Sequence, residues 1–509
     1  MSEAAPNGRP RRIRIRQLGL FLGPAAALVT YISLSSSYLG PDGAVVPFGH
    51  AGRVTAATAV WMAVWWLSEA LPIYATALLP LVVLPLLGAR SIRETAAPYA
   101  HELIYLFLGG FLVALAMERS GLHRRIALVA LRLAGERPVR MVGAFMAVTA
   151  FLSMWVSNTA TAIMMLPVAV SVIDLVEAQA TEQQRKAGAV RNFALALLLG
   201  IAYSASIGGL ATPIGTPPNL FLLSFTKESL GREVSFVRWM GVALPLVLIF
   251  LPATWLLLTR VLHPIRIPRI EGGARLVRES LARLGDPSRA ERITLAVFLL
   301  VALLWITRPL LVSLEVAGLR PLAGLTDAGI AMLAAMLLFV APVDWRAGRF
   351  VLDWDAAREL PWGILVLFGG GLSLAAAIRA NGVAEFLGAQ VGAFAGLSAL
   401  AIVLAVVTGV VFLTELTSNT ATAATLIPIL ASLAPGLGMD PLLLAVPAAL
   451  AASCAFMLPV ATPPNAIVFG SERVTIAEMS RAGFWLNWIG VALITGLTFA
   501  VVAPALGGG

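Results

Sequence analysis

Ser157-Asn158-Thr159 sits halfway along an otherwise apolar stretch of about 141–176, and Ser418-Asn419-Thr420 interrupts a second one, 398–433, in the same way. The two tripeptides are 261 residues apart, each is followed by Ala-Thr-Ala, and each has a proline further on, Pro167 or Pro428. Polar backbone in the middle of an apolar run leaves N–H and C=O groups unpaired. At membrane depth that is tolerated only where the segment is buried in protein or lines a cavity. A chain built this way must therefore bury both interruptions in protein or have them line a cavity.

The interruptions belong to a larger repeat. LFLGGFLVALAMERSGL begins at Leu106 and LFGGGLSLAAAIRANGV at Leu367, again 261 residues later. Thr216-Pro217-Pro218-Asn219 returns as Thr462-Pro463-Pro464-Asn465, 246 residues later. Three paired features in one order mark a duplicated unit.

Composition decides the solvent. Of the 509 residues, 59% are hydrophobic and 12% charged, about half the charged fraction of an ordinary globular domain. Such a chain cannot cover itself with a water-soluble surface, so lipid solvates most of it. The net charge of +9 does not point to nucleic acid, because the basic residues lie in short runs between apolar stretches, as in cytoplasmic loops. The single cysteine, Cys454, excludes an internal disulfide and a thiolate metal cluster.

The expected fold is an all-α polytopic membrane protein of two inverted repeats. It has about 11 transmembrane helices and two re-entrant hairpins, with broken helices meeting at the midplane. Residues 1–17, with Arg9, Arg11, Arg12, Arg14 and Arg16, read as a cytoplasmic N-terminal segment, and the run Leu18–Leu39 as a retained first span. The first half covers 18–259 and the second 293–509. Residues 260–292, with eight Arg and four acidic residues, form a connector expected in the cytoplasm. The loop 40–53 is expected outside. Inverted repeats with interrupted helices are the plan of secondary transporters.

Each tripeptide reads as a hairpin tip. The helix that starts at about Thr159 or Thr420 offers free N–H groups and a positive dipole end to an anion. The half-helix before it ends in free carbonyls that suit a hard cation such as sodium. The tandem prolines 217–218 and 463–464 free further carbonyls, expected to complete each cation shell. No Lys or Arg lies close in sequence to either motif, so an anion there needs helix dipoles and cations to balance its charge. Glu415, in an apolar span, reads equally as a coupling carboxylate or as an acid bonded to nearby backbone. Tyr203, Ser204 and Ser206 read as packing polars. His50, His101, His123 and His263 lie away from the repeats, and no HExxH or paired-carboxylate pattern marks an enzyme.

At the twin SNT motifs and at Ala452–Val468, ASCAFMLPVATPPNAIV, the sequence resembles the divalent anion:sodium symporter family, which includes sodium–dicarboxylate and citrate transporters. The likeness spans nearly the whole chain from about residue 55. It implies substrate contact for Ser157, Asn158, Thr159, Ser418, Asn419 and Thr420, with Thr216, Pro217, Thr462 and Pro463 nearby. It implies two or more sodium ions, one at Ser153, Ser157, Asn158 and Gly215 and another at Thr414, Thr417, Asn419 and Ala461. Thr417 stands where a small Ala is expected, which matters little if its backbone carbonyl is the ligand. Ser153 and Thr414 lie one helical turn before their SNT serines, a spacing that independently suits a shared ligand cluster. The likeness further implies sodium-coupled import of a di- or tricarboxylate by an elevator movement, in a homodimer of the bacterial inner membrane. Sodium-independent exchange, sulfate transport and an anion channel are the alternatives.

Overall fold

The computed structural model describes residues 9–39, 44–132, 135–315, 319–390 and 396–506. Two short hairpins, Ser37–Leu39 with Val45–Pro47 and Pro342–Asp344 with Arg349–Phe350, are the strands among them. Everything else with regular structure is helical, which satisfies the backbone inside each segment, as a lipid solvent requires. Among the described residues, seven helices are long and apolar enough to cross a membrane. Six shorter apolar helices accompany them, among them Pro138–Ser153, Ala399–Thr414 and Asn419–Leu433, three of the four half-helices that flank the SNT interruptions. The chain is an all-α polytopic membrane protein.

The helix Arg289–Ser313 shows how this sequence meets lipid. Leu299, Leu303, Ile306 and Leu310 are exposed along one face, while Val297, Val301 and Trp305 are buried on the other. In water that exposed stripe would be an aggregation surface; in hydrocarbon it is ordinary solvation. The helix Ala189–Gly209 is the opposite case, buried almost along its whole length. Between lipid-solvated helices, close packing of small residues replaces the hydrophobic effect. Gly208 illustrates it: a Cβ there would stand 2.3 Å from the Ala150 carbonyl oxygen, so Ala189–Gly209 and Pro138–Ser153 touch backbone to backbone.

The repeat is visible in the elements. Glu102–Ser120 and Trp362–Ala380 are followed by glycines with positive φ, Gly121 (77°) and Gly382 (70°). Each glycine leads into a further helix, Leu122–Leu131 or Val383–Gln390. Pro138–Ser153 and Asn158–Gln179 form the first hairpin, Ala399–Thr414 and Asn419–Leu433 the second. Ala189–Gly209 breaks before Pro217–Leu230, and Leu442–Ala452 before Pro463–Phe469.

Several boundaries differ from the sequence expectation. The first helix runs Arg9–Ser33 and stops before Leu39, where Ser35, Ser36 and Ser37 favour bonding to their own backbone over helix. The apolar residues between Ile73 and Leu86 form two pieces, Ile73–Thr76 and Leu79–Leu86, each too short for a straight span. The connector 260–292 contains a helix of its own, Gly273–Ala282. Of the loop 40–53, residues 40–43 lie outside the described residues, as do residues 1–8 of the N-terminal segment.

Candidate functional site

Both SNT tips open onto one cavity of about 600 Å³, within the usual range for a small-molecule site. Ser157, Asn158, Thr159, Ser418, Asn419 and Thr420 line it, together with Gly215, Thr216, Pro217, Thr417, Ala461, Thr462 and Pro463. Fifteen positions were singled out from the sequence, and all but two reach the wall. Ser153 and Thr414 are fully buried behind it.

The tips are built by capping. Asn158–Gln179 begins one residue earlier than expected, with Ser157 as its N-cap, and the Ser157 hydroxyl accepts from Ala160 N at 3.2 Å. Asn419–Leu433 likewise begins at Asn419, but the Ser418 side chain makes no cap bond. The first tip serine is thus engaged in the helix end, and the second is free to meet a ligand. Each helix presents unpaired N–H groups and about half a positive charge to the cavity. Among the described residues no Lys, Arg or His side chain lines that cavity.

Behind each tip asparagine lies a cluster of oxygens. The Ser153 hydroxyl contacts Asn158 Oδ1 and lies 2.7 Å from the Ala205 carbonyl. Thr414 Oγ1 lies 2.8 Å from Asn419 Oδ1 and 2.9 Å from the Ala452 carbonyl. Three oxygens meet in each case and the hydroxyl has one proton to share between two acceptors. Such an oxygen-rich, proton-poor cluster suits a hard cation, which takes carbonyl, amide and hydroxyl ligands. At the first cluster a Cβ on Gly209 would stand 2.8 Å from Asn158 Oδ1 and 2.9 Å from Gly215 O. Gly215 therefore approaches the same place, and only glycine leaves it room. Ala455 and Ala461 hold the matching positions in the second half, so the two clusters are not identical.

Ala205 and Ala452 contribute through backbone carbonyls and carry no sequence signal. Thr417 adds no hydroxyl to the second cluster: its Oγ1 bonds Leu413 O at 3.0 Å and Thr422 Oγ1 at 2.7 Å. Its backbone carbonyl is what remains to offer.

The Thr-Pro-Pro-Asn breaks depart from expectation. Pro217 and Pro218 occupy the first turn of Pro217–Leu230, as Pro463 and Pro464 do in Pro463–Phe469. The prolines therefore start the second half-helix, where a missing N–H costs nothing. Most of the freed carbonyls are not left for a cation. Asn219 Nδ2 reaches Gly209 O, Leu210 O and Thr212 O at 3.2, 3.1 and 2.9 Å. Asn465 Nδ2 does the same for Ala455 O and Leu458 O at 3.2 and 3.1 Å. These asparagines stitch the breaks; Gly215 O remains beside the first cluster, and Ala461, its counterpart in the second half, lines the cavity.

Glu415 is bonded to nearby backbone. It is 3% exposed, off the cavity wall. Its carboxylate accepts from Phe456 N at 2.6 Å, Met457 N at 3.0 Å and Leu458 N at 3.3 Å, and from Asn487 Nδ2 at 2.9 Å. It holds the N–H groups that the second break leaves unpaired.

Of the three presumed packing polars, Tyr203 and Ser204 are that, bonded to Met479 O and Gly200 O. Ser206 is not: it lines the cavity with a buried hydroxyl that has no partner. Ser453, the residue after the other cluster's carbonyl, lines it too, 3.4 Å from Thr216 Oγ1. Glu118 also reaches the wall, 3.5 Å from Ser157 Oγ. Its only sequence signal was its place in the repeat, where position 379 carries an arginine.

An all-helical, polytopic protein whose interrupted helices meet at one cavity belongs to the membrane-transporter class. Two solved transporters share the fold: YdaH of Alcanivorax borkumensis, with a TM-score of 0.60 over 97% of this chain and 98% of that one at 14% identity, and MtrF of Neisseria gonorrhoeae, with 0.56 over 98% and 95% at 10%. The chain belongs to the sodium:sulfate symporter family, whose transmembrane-region model matches residues 41–503. The sodium-dependent dicarboxylate transporter SdcS of Staphylococcus saprophyticus is 41% identical over 96% of this chain and 92% of its own. SdcS of Staphylococcus aureus is 42% identical over the same shares.

Proposed function

We propose that this protein is a sodium-driven symporter that imports small dicarboxylates of the succinate, malate and fumarate class. The observation that carries the reading is the pairing of each anion-ready tip with an oxygen cluster directly behind it, in a cavity without basic side chains. A dicarboxylate brings about two negative charges into a low-dielectric site, where uncompensated charge costs several kcal/mol. Two helix ends supply roughly one unit. Sodium at the Ser153/Asn158/Gly215 and Thr414/Asn419/Ala461 clusters supplies the rest. The name of the SdcS relatives agrees with this. A 600 Å³ cavity lined by both tips suits a two-ended carboxylate better than sulfate.

The test is reciprocal linkage. Sodium raises anion affinity and anion raises sodium affinity by the same factor, measured by titration in detergent with choline replacing sodium. Labelled succinate, citrate and sulfate are compared in proteoliposomes with and without a sodium gradient. Succinate affinity that ignores the replacement sinks symport and favours exchange.

In this reading the two halves are inverted repeats of an elevator-type dimer in the bacterial inner membrane, with the N-terminus and the 260–292 connector in the cytoplasm. Arg275→Cys, in a Cys454→Ser background, is expected to react with an impermeant thiol reagent from the cytoplasmic side only. Labelling from outside reverses the orientation.

A further inference from the structure

The wall of an anion cavity is an unexpected place for carboxylates, and three reach it: Glu69, Glu118 and Glu359. Two are paired. Arg16 holds Glu69 at 2.8 Å and Arg119 holds Glu359 at 2.8 Å. The polar contact of Glu118 is the Ser157 hydroxyl, 3.5 Å away at the first tip. It also lies in the last turn of Glu102–Ser120, where the helix end is itself negative. At this point of the wall the Glu118 carboxylate and its own helix end oppose a further negative charge, against the positive end of the tip helix that Ser157 caps.

We propose that Glu118 sets the charge limit of the cavity, admitting dianions and rejecting trianions of the same size. The inference rests on the symport reading and deepens it. Two cations behind the tips and two helix N-termini supply about three positive charges in all. A dianion and the Glu118 carboxylate together use three. A trianion leaves one negative charge unbalanced within a few ångströms of Glu118, in a site where water screens poorly. The matching position of the second half carries Arg379, which turns away to Glu228. The cavity therefore has one such carboxylate rather than a symmetric pair, and it sits on the wall opposite no base.

Competition against labelled succinate uptake in proteoliposomes tests this. The probes are citrate, fully ionised at mildly alkaline pH, and a citrate monoamide, a dianion of nearly equal size. The wild type is expected to prefer the monoamide roughly tenfold or more, the scale of one unscreened charge interaction at an intermediate dielectric. Glu118→Gln is expected to close most of that gap, and Glu118→Asp to keep it. Equal competition by both probes in the wild type overturns the proposal, with no variant needed. So does a gap that survives in Glu118→Gln. If that variant does not fold, Glu118→Met removes the charge at similar length and is judged by the same gap. The two readings fail separately: uptake indifferent to sodium sinks the symport reading, while the order of the two competitors still decides the role of Glu118.

Discussion

Asn158→Ala and Asn419→Ala are each expected to reduce sodium-driven uptake by about 100-fold or more while leaving a folded protein. Each asparagine has two jobs. Its Oδ1 belongs to the oxygen cluster with Ser153 or Thr414, and its amide stands on the cavity wall. Interactions with charged groups are worth about 1.5–3 kcal/mol each. The Ala variant loses one toward the cation and one toward the anion, and linkage multiplies the two losses. Neither side chain closes a helix break or fills the core, both being half-buried, so thermal stability without ligands is expected to stay near wild type. The measurement is uptake in proteoliposomes beside the melting temperature of the same samples. Near-normal uptake by both variants refutes the paired-site reading.

Glu415→Ala is expected to do the reverse, damaging the fold before the transport. Truncation strips the acceptor from three backbone N–H groups and the Asn487 amide, all in the protein interior. A buried donor left unsatisfied costs about 1–3 kcal/mol, so the variant is expected to lose on the order of 4 kcal/mol and to yield little folded protein. Glu415→Gln keeps one acceptor oxygen and is expected to fold with a lowered melting temperature and an unchanged number of sodium ions per anion. The first half manages its own break without a carboxylate. There Met154 stands at the matching position, and its carbonyl accepts from the Thr212 hydroxyl, which in turn accepts from Gly215 N at 3.1 Å. A stable Glu415→Ala protein that has lost its sodium coupling makes the acid a coupling group instead.

Much of this was legible in the chain because the constraint is local. A polar tripeptide inside an apolar run must be buried in protein or line a cavity, and two copies at matched positions make a chance origin untenable. The tips, the breaks, the all-helical membrane class and the clustered spacing of Ser153 and Thr414 follow from that rule and from helix geometry. Other features depend on which groups come together across the fold. Ala205 and Ala452 matter through carbonyl oxygens, which every residue owns. Asn219 and Asn465 are repair groups because the carbonyls freed by each break fall within reach of their amides. Ser206 and Ser204 are two residues apart, yet one faces the cavity and the other bonds its own helix. Glu118 meets the tip 39 positions along the chain. Periodicity and motif describe what a segment must avoid in lipid; which side chain answers a given unpaired group, and which is left facing the cavity, is settled only when distant segments pack.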